Sequence, residues 1–340
     1  MSERDVDGVG QRRKRHHFLP MSYLAGWADR GGQVAVRRRD RPLPFCASTR
    51  RVAVETDLYS VRTESGMDDS IEVALSEVER PLRGHLAELR DGRTPRKRTE
   101  IRKEVSFLIA IQLARTPEHM QRWTFPASAA EFTGESPVSR EGMRRFLTEK
   151  HLGAPPSESE LQGALDFANY ILINGTPKKE ELLELTFRAA REKLLPHLVE
   201  MAWAVEISRG PSFVTTDRPV AVWKHDRRAL GWSGVGLGNA DEVWFPLGPQ
   251  HLLVLRPHYP EHRHVIGGER VAQVNRHLAA ACHEFVIARP ADEDVLAGIT
   301  LKALRPAIRF NSAVLVGEDG VESNGQRMLH SYVPYDDGSD

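Results

Sequence analysis

Several things are scarce in this 340-residue chain, and each scarcity closes off a class of function. It has two cysteines, Cys46 and Cys282, far apart in sequence. Two cysteines cannot build a disulfide framework or a cysteine zinc site, and the count fits a reducing compartment. No apolar run approaches the ~20 residues that span a bilayer. The richest, Phe107 to Ala114, is interrupted by Gln112. The first residues carry no apolar signal core, so a cytoplasmic protein with no membrane partner is expected. An excess of charge is missing too: 47 basic residues balance 47 acidic ones, which gives no global pull toward nucleic acid.

What is present describes a globular protein. Hydrophobic residues make up 40% and charged residues 28%, enough for a core and too little polarity for global disorder. The one local imbalance is Arg12-Arg13-Lys14-Arg15, which reads as the end of a disordered basic arm over residues 1–14.

Periodicity divides the rest. Pro20 opens a helix with Leu24 and Trp27 in register, and Gln33 to Arg37 and Val52 to Val61 read as strands. Ile71, Leu75, Val78, Leu82, Leu86 and Leu89 form one helical stripe, interrupted at Pro81. Glu100 to Arg115 is apolar nearly all round, which marks a buried helix, while Ala127 to Ser139 reads as a loop. Ser157 and Glu160 form a capping box, and Pro177 restarts a helix that runs to about Met201. From Trp203 onward short strand-like runs dominate, with one helix at Arg270 to His283. The expected fold is α+β: a mainly antiparallel sheet against a helical layer. It is one domain over 15–305, its helices central at about 68–201, with a loosely structured tail at 306–340.

The segment His16-His17-Phe18-Leu19-Pro20, followed by Tyr23-Leu24 and Trp27, resembles the opening motif of the family called domain of unknown function 4238. Four further motifs follow in the family's order. They are Glu72 and Glu79 on a helix after Tyr59, Gln112 with Arg115-Thr116-Pro117, Phe213-Val214-Thr215-Thr216-Asp217-Arg218-Pro219, and Phe245-Pro246-Leu247. The resemblance spans about residues 14–290 and implies a bacterial protein. It carries no activity over.

The polar members of those motifs are the candidate site. His16 and His17, treated as neighbours at a helix start, point ~100° apart, so one faces a site while the other packs or caps. Glu72 and Glu79, seven residues apart, share one edge of the apolar stripe; a solvated boundary pair is the plainer reading. Gln112 and Arg115 are neighbours on a buried helix. A buried guanidinium needs a carboxylate partner, Asp217 or Glu79, either as an ion pair or as an anion clamp. Asp217 ends a strand, where it either serves a site or shapes the turn. His17, Glu79, Asp217, Arg115 and Gln112 are the expected catalytic set, and His16, His17, Glu72, Glu79 and Asp217 the expected metal ligands. Imidazole with carboxylate suits manganese or magnesium. The expected function is a metal-assisted hydrolase, such as a phosphodiesterase or nuclease. The rival is a noncatalytic interaction protein whose arginine–carboxylate network is structural. Two weaker signals, the histidines of His258 to His264 and the glycines Gly234, Gly236 and Gly238, read as an exposed turn and a glycine-rich loop.

Overall fold

The computed structural model describes residues 15–41, 43–56, 58–63, 66–91, 95, 99–115, 117–175, 178–226, 235–258, 262–302, 304–316 and 322–334. The expected basic arm, residues 1–14, lies outside them, as does Gly234.

Small antiparallel ribbons open the chain. β1 (Arg15–His17) is a strand, so the two histidines alternate across it and are not neighbours on a helix. After α1 (Met21–Leu24) come β2 (Gln33–Arg38), β3 (Phe45–Ser48) and β4 (Val54–Thr56), and β1 pairs with β4 so that His16 faces Glu55 across the ladder. β5 (Val61–Thr63) and β6 (Gly66–Asp68) form a second ribbon.

Among the described residues eight α-helices follow. The leucine stripe becomes α2 (Ser70–Glu79) and α3 (Leu82–Arg90), separated at Pro81, whose ring cannot continue a helix and whose missing N–H is harmless at a helix start. Leu75, Leu82, Leu86 and Leu89 are buried. α4 (Glu100–Ala114) is the buried helix. Its one buried cation, Arg102, donates to the carbonyls of Val199 and Met201 at the end of a later helix and lies 4.9 Å over the Trp203 ring. A guanidinium there satisfies carbonyls that the helix itself leaves unbonded. α5 (Pro117–Thr133) runs through most of the stretch expected to be a loop. Its Ala-Ser-Ala-Ala-Glu sequence has good helix propensity, and Ala129 is buried; only Gly134 onward leaves the helix. α6 (Arg140–Leu147) and α7 (Glu158–Asn174) complete a small separate core with α5, built on Phe125, Phe146 and Leu161. The capping box is present: Glu160 N–H donates to Ser157 Oγ, and Ser157 N–H donates to Glu160 Oε2 at 2.8 Å. α8 (Lys179–Ala189) and α9 (Leu195–Glu200) end the helical region.

The sheets come mostly from the last third. β7 (Ala202–Ser208), β8 (Thr215–Thr216), β9 (Ala221–Trp223), β10 (Glu242–Gly248), β11 (His251–Arg256) and β12 (His262–Ile266) precede α10 (Gly268–Ala281), β13 (Phe285–Ala288) and α11 (Glu293–Ala297). One sheet runs β12-β7-β11-β10-β9, antiparallel except for the β12–β7 pair; the other runs β3-β2-β13-β8. The fold is α+β, with a large core shared by both sheets and α2–α4. His262 and His264 lie in β12, where an exposed turn was expected.

The expected loose tail is instead a hairpin. β14 (Leu304–Val316) and β15 (Glu322–Pro334) pair antiparallel over their whole length. Ile308, Phe310, Val314 and Val316 alternate along the first strand, a pattern suited to a ladder. Among the described residues no helix is long and apolar enough to cross a membrane.

Candidate functional site

The ends of β1, α2 and α4 meet around Tyr59. The extended backbone of β1 sends His16 inward, where it is fully buried. His16 Nδ1 accepts the backbone N–H of Tyr59 at 3.0 Å, so that nitrogen carries no proton. The two rings stack 5.8 Å apart at 6°. Tyr59 is 2% exposed, and its hydroxyl accepts a hydrogen bond from Arg115 Nη1. Burial pushes the phenol up to about 12, with Arg115 pulling it down and Glu79 and Glu72 pushing it further up.

Arg115 is the C-cap of α4, where the helix stops and the side chain is released toward Tyr59. Its guanidinium carbon lies 5.8 Å from the Tyr59 ring centroid. Its Nε and Nη2 are buried and, among the described residues, meet no hydrogen-bond acceptor. Glu79 ends α2 and Glu72 lies in its first turn. Burial pushes the Glu79 carboxyl up to about 7; Arg115 opposes the rise and Glu72 adds to it. Glu79 therefore titrates closer to neutrality than an ordinary glutamate. The site holds one unsatisfied cation, two carboxyls that repel each other, and a neutral phenol.

Four expectations fall away from this cluster or out of it. His17, on the other side of β1, has its Nε2 3.3 Å from the Thr49 carbonyl. Gln112 is buried and donates from Nε2 to the Phe18 carbonyl at 3.1 Å, which anchors the β1–α1 connection to α4. Asp217 sits at the end of β8, where its carboxylate accepts the backbone N–H groups of His283 (2.9 Å) and Glu284. Burial raises its carboxyl, and those two N–H groups pull it back. It closes the β8–β13 junction and is no partner of Arg115. The metal set fails with it: among the described residues no three His, Cys, Asp or Glu side chains group so as to hold an ion.

Two features were not read from the sequence. Tyr59 was a landmark only, although a tyrosine just before the ribbon leading to the acidic helix was the available signal. The second is a buried ion quartet on the five-stranded sheet. Glu206 accepts from Arg256 Nη2 (3.0 Å) and Arg270 Nε (2.9 Å). Glu242 accepts from Arg256 Nε (2.9 Å), Arg270 Nη2 (2.6 Å) and Trp244 Nε1. Burial pushes the Glu242 carboxyl up, but Arg270, Trp244 and Arg256 together hold it below its ordinary value. The signal was a charged residue on an inward position of an otherwise apolar strand, Glu206 in Ala202–Ser208. A cavity of about 650 Å³ opens beside the quartet, with His225, His258 and His264 in its wall. The glycines at 236 and 238 lead into β10, and among the described residues no helix follows them.

No curated protein and no solved structure matches the chain. A family profile described as a protein of unknown function, DUF4238, matches residues 15–292 and takes in every element from β1 to β13, including the Tyr59 cluster. On that match the chain belongs to the DUF4238 family.

Proposed function

We propose that this protein is a hydrolase of anionic esters, with phosphoesters the leading class, and that Arg115, Glu79 and Tyr59 form its active site. One observation carries the reading: Arg115 presents two buried donor nitrogens, Nε and Nη2, with no acceptor among the described residues, beside a carboxyl raised toward neutrality. Leaving such donors unmet costs about 1–3 kcal/mol each, a cost that an arriving phosphate oxygen removes. A guanidinium fork matches a phosphate group in both geometry and charge. Glu79 as carboxylate takes the proton of a water whose oxygen bonds to phosphorus. The bond from phosphorus to the ester oxygen breaks, and the leaving oxygen takes the proton that Glu79 acquired. Tyr59, held neutral, keeps Arg115 in place.

The chemistry assigned here runs on acid–base and electrostatic terms. The test is hydrolysis of bis(p-nitrophenyl) phosphate from pH 5 to 9, with EDTA or with added manganese, by the wild type, Glu79→Gln and Arg115→Met. The expected result is a metal-independent rate whose acid limb has an apparent pKa near 7. Both variants lose at least about 100-fold while keeping their circular dichroism. Equal rates in wild type and Glu79→Gln sink the reading, and strict manganese dependence returns it to the metal-assisted form.

The noncatalytic reading is favoured by the quartet of Glu206, Glu242, Arg256 and Arg270. It is a saturated arginine–carboxylate network of the kind that reading requires, though built from other residues. Under it, Glu79→Gln and Arg115→Met change stability alone.

A further inference from the structure

A second cavity, of about 690 Å³, is lined by the four-stranded sheet together with Phe18 and residues 50–54. The volume falls within the ~300–1,000 Å³ of small-molecule sites. Val36 pairs with Phe45 and Arg38 with Phe285, so strand alternation sets these four residues on one face of the sheet. The Phe18 ring packs 6.2 Å from the Phe285 ring, at 37°, and Val52 and Val54 extend the apolar wall. Ala53, also in the lining, holds a φ of 55°, a conformation that residues with a side chain rarely adopt. Its carbonyl accepts the Phe18 N–H at 3.0 Å, which fixes the backbone that carries the Phe18 ring. Backbone strain of this kind gathers at ligand sites.

The charges in the lining do not balance. Three arginines, Arg38, Arg50 and Arg51, stand against one carboxylate, Glu284. Arg38 is committed: Nε donates to Asp40 at 2.9 Å, and Nη2 to Glu284 at 3.3 Å. The exposed guanidiniums of Arg50 and Arg51 have no carboxylate partner among the described residues. Arg41 adds a further cation beside the wall, with its guanidinium carbon 5.1 Å from the Phe45 ring centroid. The uncharged polar lining is Gln33, Cys46 and Ser48.

We infer that this cavity binds a small aromatic anion, such as an aryl carboxylate, with its ring against the phenylalanine wall and its head group at Arg50 and Arg51. Tyr59, Glu79 and Arg115 do not line the cavity, so the inference stands apart from the proposed active site. A planar carboxylate matches the guanidinium fork, and the surplus of arginine repels a cation. An attraction to an exposed guanidinium changes affinity by about fivefold at most, so the apolar wall supplies most of the binding and the arginines choose the sign of the ligand.

The experiment is titration calorimetry of the full chain at neutral pH with 2-naphthoate, its neutral isostere 2-naphthamide, and acetate. It uses the wild type, Arg50→Glu/Arg51→Glu, Ala47→Trp and Arg115→Met, each checked by circular dichroism. Arg50 and Arg51 are exposed, so reversing their charge spares the core. Ala47 is half-buried in the lining, two residues after Phe45 on β3, so a large side chain there enters the cavity. The wild type is expected to bind 2-naphthoate more tightly than the amide and to give no saturable heat with acetate. Arg50→Glu/Arg51→Glu lowers 2-naphthoate affinity at least about tenfold and removes the preference over the amide. Folded Ala47→Trp loses both aromatic ligands. Arg115→Met binds 2-naphthoate as the wild type does, and inorganic phosphate does not displace it. Absence of saturable 2-naphthoate binding, or equal affinity in Arg50→Glu/Arg51→Glu, overturns the proposal. So does unchanged binding by folded Ala47→Trp. Loss of 2-naphthoate in Arg115→Met, with displacement by phosphate, moves the aromatic anion to the Tyr59 cluster and leaves this cavity without a ligand.

Discussion

The Tyr59 hydroxyl accepts a hydrogen bond from Arg115, a residue 56 positions later in the chain, and this contact ties the first ribbon to the end of the buried helix. It engages one nitrogen of the Arg115 guanidinium and leaves the other two, Nε and Nη2, without an acceptor among the described residues. The arrangement differs in kind from the Glu206–Arg256–Glu242–Arg270 quartet, where two carboxylates face two guanidiniums and both carboxylates are fully bonded. A saturated quartet is how a fold buries charge. A cation left short of acceptors, next to a raised carboxyl, stores an interaction that a ligand can complete.

The charges around Glu79 set the direction of its titration, and each can be removed singly. Arg115 pulls the carboxyl down and Glu72 pushes it up, with burial the larger effect. Arg115→Met is therefore expected to move the Glu79 midpoint above about 7, and Glu72→Gln to move it below. Carbon-13 NMR titration of the side-chain carboxyl measures both. Movement in the same direction in the two variants contradicts the arrangement.

Glu79 also couples stability to pH. Its folded-state carboxyl, at about 7, lies above the ordinary 4.5, so the folded state holds the proton more tightly than the unfolded chain. The resulting stability is fully present below about pH 4.5. It is lost as pH rises to about 7, by at most ~3 kcal/mol at 1.36 kcal/mol per pH interval. Urea denaturation at pH 4.5, 6 and 7.5 should show that part of the decline in the wild type, and its absence in Glu79→Gln.

How much of this was legible in the sequence follows from the range over which each signal acts. The α2–α3 stripe, the Pro81 break and the Ser157 capping box are local, set by residues three or four apart, and all are present. The acidic pair and Arg115 were visible as polar residues at odds with apolar helices, and they share the Tyr59 neighbourhood. Asp217 looked equivalent by the same criterion. What separates it is a pair of backbone N–H groups 66 and 67 residues away, which no local pattern reports. The histidine pair was misplaced because three-residue strands carry too few positions to show a period, so the choice between helix and strand at His16 was decided by pairing with Val54–Thr56. The quartet escaped for the same reason as Asp217: its four members come from β7, β10, β11 and α10 and meet only in the folded sheet.

The quartet should behave as scaffold. Glu206 is 2% exposed and accepts from both Arg256 and Arg270. Glu206→Ala leaves two part-buried guanidiniums facing one carboxylate, an imbalance that costs up to about 3 kcal/mol. Thermal unfolding is expected to show a large drop in Tm, while the folded fraction keeps wild-type affinity for inorganic phosphate. Lost phosphate binding in protein shown to be folded would place the quartet within the functional site.

Asp217 gives the sharpest separation between a residue that serves the fold and one that serves the site. Its two oxygens each take one backbone N–H, from His283 and Glu284, at the start of β13, and the β8–β13 ladder continues from that point. Asparagine keeps the shape but replaces one oxygen with an NH2 group. A donor then faces a donor in a buried position, and the charge that strengthened the surviving bond is gone. Hydrogen bonds to a charged group contribute ~1.5–3 kcal/mol, so Asp217→Asn should lower stability by about that amount. Among the described residues no bond connects Asp217 to Tyr59 or Arg115, and inorganic phosphate affinity should stay within about twofold of wild type, the limit for sites that share no partners. Chemical denaturation and calorimetry on one preparation read both quantities. An unchanged stability accompanied by lost phosphate binding would reverse the assignment and return Asp217 to the active site.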